Sequence, residues 1–188
     1  MSKQTDHLII AEVRAGNTNA YAKLVTQYQV MIFTLAVRML NDREEAEEVA
    51  QDVFVKAYQK LGHFKGQSKF STWLYRIAYN ACLDRLKVLK RTVRSEILDE
   101  VNESDLGEIQ NGLSHLLAQE RKDMINLALS KLEPEESAII TSFYFEELSL
   151  REIAVALNIS ESNVKVRLHR SRKKLFAILK PVVKTEII

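Results

Sequence analysis

The densest group of chemically active side chains lies between Lys165 and Lys174. Six of these ten residues are Lys or Arg, and none is acidic. Such side chains bind phosphate groups and donate hydrogen bonds to guanine in the major groove of DNA. The group could therefore bind duplex DNA, although a basic helix that only faces solvent is the simpler alternative.

Two predicted helices would position this basic group. Ser149 and Glu152 have the spacing of a capping box, in which each side chain bonds the other residue's backbone N–H, and they begin a short helix. A three-residue break follows at Asn158-Ile159-Ser160. Ser160 can cap a longer helix whose apolar residues repeat at about 100° per residue. This arrangement is typical of a helix-turn-helix, which favours duplex DNA binding over a solvated face.

One side of the longer helix would face a major groove. Opposite its apolar seam, a helical projection places polar and basic residues, with one valine whose methyl groups could meet a thymine methyl. The residues predicted to read the duplex are Ser162, Lys165, Val166, His169, Arg170 and Lys173.

A second basic unit, between positions 65 and 94, carries eight Lys or Arg residues and one acid. A glycine-containing loop leads into a predicted helix that Ser71 can cap and that turns Tyr79 to its exposed side. Phe, Trp and Tyr residues are interleaved with the basic ones. This composition is expected of a surface that follows a nucleic-acid backbone and stacks unpaired bases, although Phe70 and Trp73 could equally be core residues.

A third candidate surface is the polar side of a helix that Asp42 can cap. Eight apolar residues from Ala46 to Leu61 form a wide stripe for burial. Val55 lies on the opposite, polar side, and an aliphatic group among polar ones hints at a docking surface. Isolated exposed apolar residues are common, so this feature alone does not establish one.

The composition predicts the fold class and excludes several functions. Gly and Pro account for only 5 and 2 of 188 residues, which together with helical periodicity predicts an all-α fold. There is no glycine-rich phosphate loop, and the four His residues have no metal-ligand spacing with Cys82. We therefore expect no enzymatic activity, no cofactor and no metal site. Without an apolar span or a signal peptide, and with one cysteine, the chain is expected to be cytoplasmic and not inserted in a membrane.

Formal charge divides the chain into three parts. Residues 1–94 contain 15 basic and 9 acidic residues, residues 95–120 contain 0 and 7, and residues 121–188 contain 12 and 9. The acidic segment is also rich in Asn, Ser and Gly, so we expect residues 95–120 to be a linker. Two small helical domains would flank it: a four-helix domain at 1–94 and the helix-turn-helix domain at 121–188.

Three segments, in order, resemble the extracytoplasmic-function (ECF) sigma factors of bacterial RNA polymerase, in the sigma-70 family. They are NDREEAEEVAQDVFVKAYQKL, FKGQSKFSTWLYRIAYNACLDRLK and LEPEESAIITSFYFEELSLREIAVALNISESNVKVRLHRSRKKL. The resemblance covers about residues 5–91 and 121–180. It implies a region 2 domain for −10 promoter DNA, a region 4 domain for −35 DNA, and a function in promoter-specific transcription initiation.

The resemblance also implies the residues that meet each partner. The third helix would bind the clamp coiled coil of the polymerase β′ subunit through Glu48, Gln51, Asp52, Val55 and Lys56. A pocket for a flipped −10 base would be lined by Phe64, Lys65, Gly66, Gln67, Ser68 and Lys69. Arg76 and Asn80 would contact the opened strand. The second domain would meet the β flap, and an anti-sigma factor would be a further partner.

Gln67 departs from the family pattern, because many members carry an acidic residue there. A neutral amide both donates and accepts hydrogen bonds, so the preferred flipped base could differ in this chain. The resemblance also implies that the acidic linker runs near the template-strand and RNA-exit channels of the polymerase.

Two other functions are compatible with part of the sequence. A stand-alone helix-turn-helix regulator with an N-terminal dimerisation or sensor domain would also carry the basic helix. It would have no reason to carry the basic aromatic unit as well. An adaptor that binds only protein is opposed by the charge of the predicted recognition helix.

Overall fold

A computed structural model of the chain describes residues 3–95 and 113–185. In these two ranges all regular elements are helical, which confirms the predicted all-α class. The α-helices are α1 (Lys3–Arg14), α2 (Tyr21–Leu40), α3 (Arg43–Lys60), α4 (Phe70–Ser95), α5 (Leu113–Ser130), α6 (Pro134–Tyr144), α7 (Leu150–Leu157) and α8 (Glu161–Thr185). Short 3₁₀ turns at Thr18–Ala20 and Leu61–His63 follow α1 and α3.

Side-chain caps begin three of these helices as predicted. Asp42 Oδ1 accepts a hydrogen bond from a backbone N–H in the first turn of α3, at 3.0 Å. Ser149 and Glu152 form the capping box of α7, with bonds of 2.9 and 3.3 Å. Ser160 Oγ accepts from the N–H of Asn163 at 3.2 Å. Each cap pairs a backbone donor that the helix itself leaves free.

One predicted cap is wrong. Helix α4 begins at Phe70, so Ser71 lies within its first turn and does not cap it. The first i to i−4 bond runs from the N–H of Trp73 to the carbonyl of Lys69, at 3.1 Å. The buried Phe70 is therefore the first residue of α4.

Helices α1 to α4 form the first bundle. Leu24, Ile32 and Leu35 of α2, Val53 of α3 and Leu74 of α4 have no exposed surface. Full burial of such a side chain stabilises the fold by about 1.5–3 kcal/mol relative to its exposure. The apolar stripes expected from helical periodicity are therefore the faces that meet in this core.

The second set of helices packs directly on the first. Tyr75 of α4 is completely buried, and its hydroxyl lies 2.9 Å from Ser142 Oγ of α6. The Arg38 guanidinium of α2 stacks 3.7 Å from the centre of the Phe145 ring and donates to Thr141 Oγ1 at 3.3 Å. Residues of both sets belong to one continuous core.

The predicted linker at 95–120 falls mostly outside the described residues. Its last part is helical, because α5 begins at Leu113. Helix α5 as a whole contacts α2, α6 and α8, so it packs against both sets of helices.

Candidate nucleic-acid and polymerase interfaces

Helices α7 and α8 form the predicted helix-turn-helix. Asn158 ends α7 in the left-handed conformation, with φ of 56°, and Asn adopts this conformation more readily than most residues. Val164 and Leu168 are buried against the rest of the domain. The outward side of α8 is therefore free, and all six residues predicted to read duplex DNA are exposed on it. We call these six residues the duplex face: Ser162, Lys165, Val166, His169, Arg170 and Lys173.

Two further basic residues of α8 bond to acidic residues of α6. Arg167 Nη1 donates to Glu135 Oε2 at 2.8 Å, and Lys174 Nζ donates to Glu136 Oε1 at 2.5 Å. Both acids lie at the start of α6, where negative charge is favourable near a helix N-terminus. The basic residues between Lys165 and Lys174 thus divide into two groups. One group faces outward, and the other contains Arg167 and Lys174, which bond α8 to α6.

Arg170 occupies the edge of the duplex face. It lines a groove of about 500 Å³ between α4 and the second domain, together with Lys87 and Lys90 of α4. Cations from both domains therefore border the same groove.

The loop at residues 64–69 presents polar groups to solvent. Lys65, Gln67 and Lys69 are exposed, and Gly66 and Ser68 are half-buried. Gly66 has φ of 69°, a conformation that favours glycine. The loop can therefore offer amide, hydroxyl and ammonium groups at one place.

Phe64 departs from its expected place in a base pocket. Its side chain is 5% exposed, and its ring packs 5.2 Å from Trp73 and 5.7 Å from Phe70. Tyr28 extends the cluster, 5.6 Å from Phe70. Phe64 thus supports the loop from beneath, and no face of its ring is open to a base.

A groove of about 580 Å³ runs between α3 and α4. We call it the strand groove, lined by Lys56, Lys60, His63, Trp73, Arg76 and Asn80 among others. Trp73 is half-buried, so one part of its ring packs on the core and another part faces the groove. Asp84 is the single acid in the lining.

Lys60 and His63 of this groove were not among the site residues predicted from the sequence. A signal was available, because Lys56 and Lys60 are one turn apart on α3, as Arg76 and Asn80 are on α4. That two such pairs face each other depends on how α3 and α4 pack.

The exposed side of α3 holds all five residues expected to dock on polymerase. We call Glu48, Gln51, Asp52, Val55 and Lys56 the docking face; each is exposed, and Val55 is 56% exposed. Arg85 of α4 orients Glu48 by donating to its Oε2 at 2.9 Å, and also bonds Glu45. Lys56 borders the strand groove as well, so the two surfaces adjoin.

Apolar surface lies beside the docking face. Gln51 borders a groove of about 430 Å³ between α2 and α3, which also involves Val30, Phe33 and Phe54. Val30 is 71% exposed. An apolar groove beside charged residues is the kind of surface that protein partners use.

Two residues predicted to contact −10 DNA are bonded to the helix-turn-helix. Lys69 Nζ lies 2.8 Å from Glu152 Oε1, and Arg76 Nη2 donates to Asn158 Oδ1 at 3.3 Å. Partial burial by itself raises the pKa of Glu152, but bonds from Lys69 and from the amide and hydroxyl of Ser149 lower it below its ordinary value. With the two sets of helices packed together, these two predicted −10 contacts are therefore already bonded to the helix-turn-helix.

Cys82 and the possible metal ligands of the described residues form neither a reactive thiol nor a metal centre. Cys82 is buried, which raises the pKa of its thiol to about 12 and keeps it un-ionised. Within residues 3–95 and 113–185, no His, Cys, Asp or Glu side chains form a group of three or more that could hold a metal ion. In the same ranges, no helix has both the length and the apolar character needed to cross a membrane.

Two regions of one known protein family match the chain. Residues 24–101 match the family described as Sigma-70 region 2, and residues 122–175 match Sigma-70 region 4. The ECF RNA polymerase sigma factor SigW of Bacillus subtilis is 35% identical over 88% of this chain and 92% of that protein. The RNA polymerase sigma-H factor of Pseudomonas aeruginosa is 31% identical over 98% of each chain.

Two solved structures are similar to this chain in fold. CnrH, in complex with the cytosolic domain of CnrY, is 25% identical with a TM-score of 0.66, over 94% of this chain and 97% of that one. The sigma factor RpoE of Bartonella quintana, in complex with the anti-sigma factor NepR, has a TM-score of 0.69 at 20% identity, over 85% and 96%.

A helical fold with a helix-turn-helix and two region matches in this order defines a transcription initiation factor. The chain belongs to the sigma-70 family of RNA polymerase sigma factors, within its ECF group. Its function is promoter-specific transcription initiation, and its partners are core RNA polymerase and promoter DNA. Sigma factors are non-catalytic initiation factors.

Proposed function

We propose that this chain directs core polymerase to promoters through three separate surfaces. The docking face binds the clamp of the β′ subunit, the duplex face reads the −35 element, and the strand groove with the 64–69 loop holds the opened −10 strand. The strand groove is the strongest support for this proposal, because the half-buried indole of Trp73 lies there among basic side chains.

The chemistry of the strand groove suits an unpaired strand. Lys60 and Arg76 offer positive charge to phosphates, Asn80 offers an amide to a base edge, and Trp73 offers part of an aromatic face. Stacking on an aromatic side chain contributes about 1–3 kcal/mol per base. That range is comparable with the few kcal/mol needed to unstack and unpair a base.

The 64–69 loop is proposed to select the flipped base. Gln67 is exposed and Ser68 is half-buried beside it, so both side chains can reach the edge of an extruded base. Because the amide of Gln67 can donate and accept, whereas a carboxylate only accepts, the base chosen here is expected to differ from that of family members with an acid. Lys65 and Lys69 would bond the flanking phosphates.

Further partners follow from the same family. The second domain is proposed to meet the β flap through apolar surface that includes Phe176, which is 68% exposed. An anti-sigma factor is proposed as a regulator, supported by the similarity to CnrH, which was solved with the cytosolic domain of CnrY. We also infer that the chain works in the cytoplasm and has no enzymatic activity of its own.

The test is promoter opening by reconstituted polymerase. With 2-aminopurine at the −10 element, wild type and core polymerase should give a fluorescence rise on a subset of a −10 library. Arg76→Ala and Asn80→Ala should each reduce opening while leaving −35 duplex binding intact. Lys23→Ala, which removes only an exposed pair with Glu12, is the control.

Two outcomes would contradict the proposal. Equal opening by the wild type and both groove variants would remove the strand groove from the mechanism. A wild-type chain that binds closed duplex by itself, but opens no promoter with polymerase, would favour the stand-alone regulator.

A further inference from the structure

We propose that α1 sets the shape of the 64–69 loop and thereby the −10 base preference, without touching DNA. Arg14 is the main positioning residue and His7 a second support. This inference rests on the proposed role of the loop as a base-selecting pocket. Helix α1 lies outside the region 2 match, which begins at residue 24.

Arg14 holds the entrance of the loop. Its Nη2 donates to the carbonyl oxygens of Leu61 at 2.7 Å and Phe64 at 2.5 Å, and the carbonyl of Gly62 lies 3.5 Å away. These carbonyls belong to the 3₁₀ turn that follows α3 and to the residue after it, close to the negative end of the α3 dipole, where a cation is favoured. The Arg14 side chain therefore holds the backbone at these three residues, where the chain enters the loop.

His7 supports the middle of the loop. Its ring is stacked on Phe64, with centroids 6.3 Å apart and planes at 27°. A Cβ at Gly66 would lie only 3.1 Å from His7 Cε1. Because Gly66 also has a positive φ, any larger residue at this position would strain the backbone and press on His7.

Helix α1 is itself held firmly. Asp6 is 6% exposed and accepts hydrogen bonds from Tyr28 at 2.6 Å and from Gln27 at 3.1 Å. Tyr28 in turn packs on Phe70, at the start of α4. A single connected set of contacts thus joins α1, α2, the loop and α4.

Such support matters because the loop has few bonds of its own. Ser68 Oγ donates to the carbonyl of Lys69, and Lys69 bonds the second domain. A recognition site must be held within about 0.5 Å of its working geometry. Loss of the Arg14 bonds should therefore change which base fits, rather than only weaken every complex.

The experiment measures base preference in open complexes. Wild type, Arg14→Ala, Arg14→Lys and His7→Ala are reconstituted with core polymerase on a randomised −10 library, and opened promoters are sequenced. Lys23→Ala is the control, because it disturbs the α1–α2 contact without reaching the loop. Hydrogen exchange of the amides at 64–69 is measured on each free protein.

Arg14→Ala should reduce the preference for the best base over the next by about fivefold to tenfold, the size expected for the net contribution of one ordinary hydrogen bond. Its loop amides should exchange faster, with −35 duplex affinity unchanged. Arg14→Lys should restore part of the preference, since it keeps the charge but not the planar fork. Lys23→Ala should match the wild type in both measurements.

A merely structural role would lower opening on all −10 sequences alike and leave the preferences unchanged. That result, in Arg14→Ala and His7→Ala, would overturn the inference while the proposed function stands. If Arg14→Ala does not fold, wild-type preferences in both Arg14→Lys and His7→Ala overturn it. If the wild type opens no promoter, the proposed function fails, and unchanged loop exchange in Arg14→Ala would then reject loop positioning separately.

Discussion

Lys69 and Glu152 join the −10 loop of one domain to the helix-turn-helix of the other. The ammonium nitrogen lies 2.8 Å from Glu152 Oε1, while Oε2 of the same carboxylate accepts bonds from the amide and hydroxyl of Ser149. One carboxylate therefore caps α7 and also bonds a lysine predicted to contact promoter DNA. Promoter binding by Lys69 has to displace this bond.

The first prediction concerns pH. Because the folded pKa of Glu152 is below its ordinary value of 4.5, its ionised form stabilises the fold above that value, and this contribution is lost as pH falls through the folded pKa. Glu152→Gln should lower the free energy of unfolding by up to about 1 kcal/mol at neutral pH. The difference from wild type should diminish as pH falls below 4.5 and through the lowered pKa of Glu152. Glutamine retains the capping box, so the charge alone is tested by urea unfolding.

Glu146 supplies the matched control. Burial raises its pKa and Arg38 only partly offsets this, so its ionised form opposes folding above its ordinary pKa. Glu146→Gln should therefore stabilise the protein at neutral pH, with an effect that disappears on acidification. The same sign for both variants at neutral pH would contradict these assignments.

The second prediction concerns polymerase binding. Asp52→Arg should weaken assembly with core polymerase by roughly 1–3 kcal/mol, as expected for charge reversal at a docking surface. Since Asp52 is exposed, the melting temperature should hardly change. A binding titration with labelled core polymerase measures the effect, with Glu12→Arg on α1 as the control. Unchanged affinity in Asp52→Arg would remove it from the docking face.

The third prediction uses two adjacent lysines of α8 with different surroundings. Lys173 is on the duplex face, whereas Lys174 bonds Glu136. Lys173→Ala should relax preference at one −35 position by about 1–3 kcal/mol. Lys174→Ala should leave the preference profile intact and lower stability slightly. Binding to a randomised −35 library distinguishes the two, and identical profiles for both variants would contradict the assigned face.

The fourth prediction concerns the contact between domains. Tyr75→Phe should lower the free energy of unfolding by about 1 kcal/mol, because it removes a buried hydroxyl bonded to Ser142. A double-mutant cycle with Ser142→Ala, followed by urea unfolding, measures the coupling. We expect at least about 0.5 kcal/mol, as found for residues in direct contact. Strict additivity would mean that the two domains are not held through this bond.

Several features could be predicted from sequence because they depend on a few neighbouring residues. Asp42, Ser149 and Ser160 cap their helices through bonds that span three positions. The duplex face follows from the helical repeat, since burial of Val164 and Leu168 leaves the other side of α8 outward. Val55 is exposed for the same reason on α3.

Other features depended on contacts between distant segments. Tyr79 was expected on the exposed side of α4, yet it is 5% exposed, because the second domain covers that side. Burial raises the pKa of its phenol to about 12. Phe64 looked like part of a base pocket, and Lys174 belonged to a basic run without any visible acidic partner. In the structure, Phe64 packs on Phe70 and Trp73, and Lys174 bonds Glu136.

The sequence by itself determined the helices, three of their caps and the family, and it predicted three groups of residues for polymerase, −10 and −35 contacts. These depend on local periodicity and on motifs that are continuous in the chain. The tertiary structure decided which basic side chains are free, which are paired, and how the domains meet. Lys69 and Glu152 are 83 positions apart, and no local pattern specifies such a pair, because it forms only when both domains bury their apolar faces against each other.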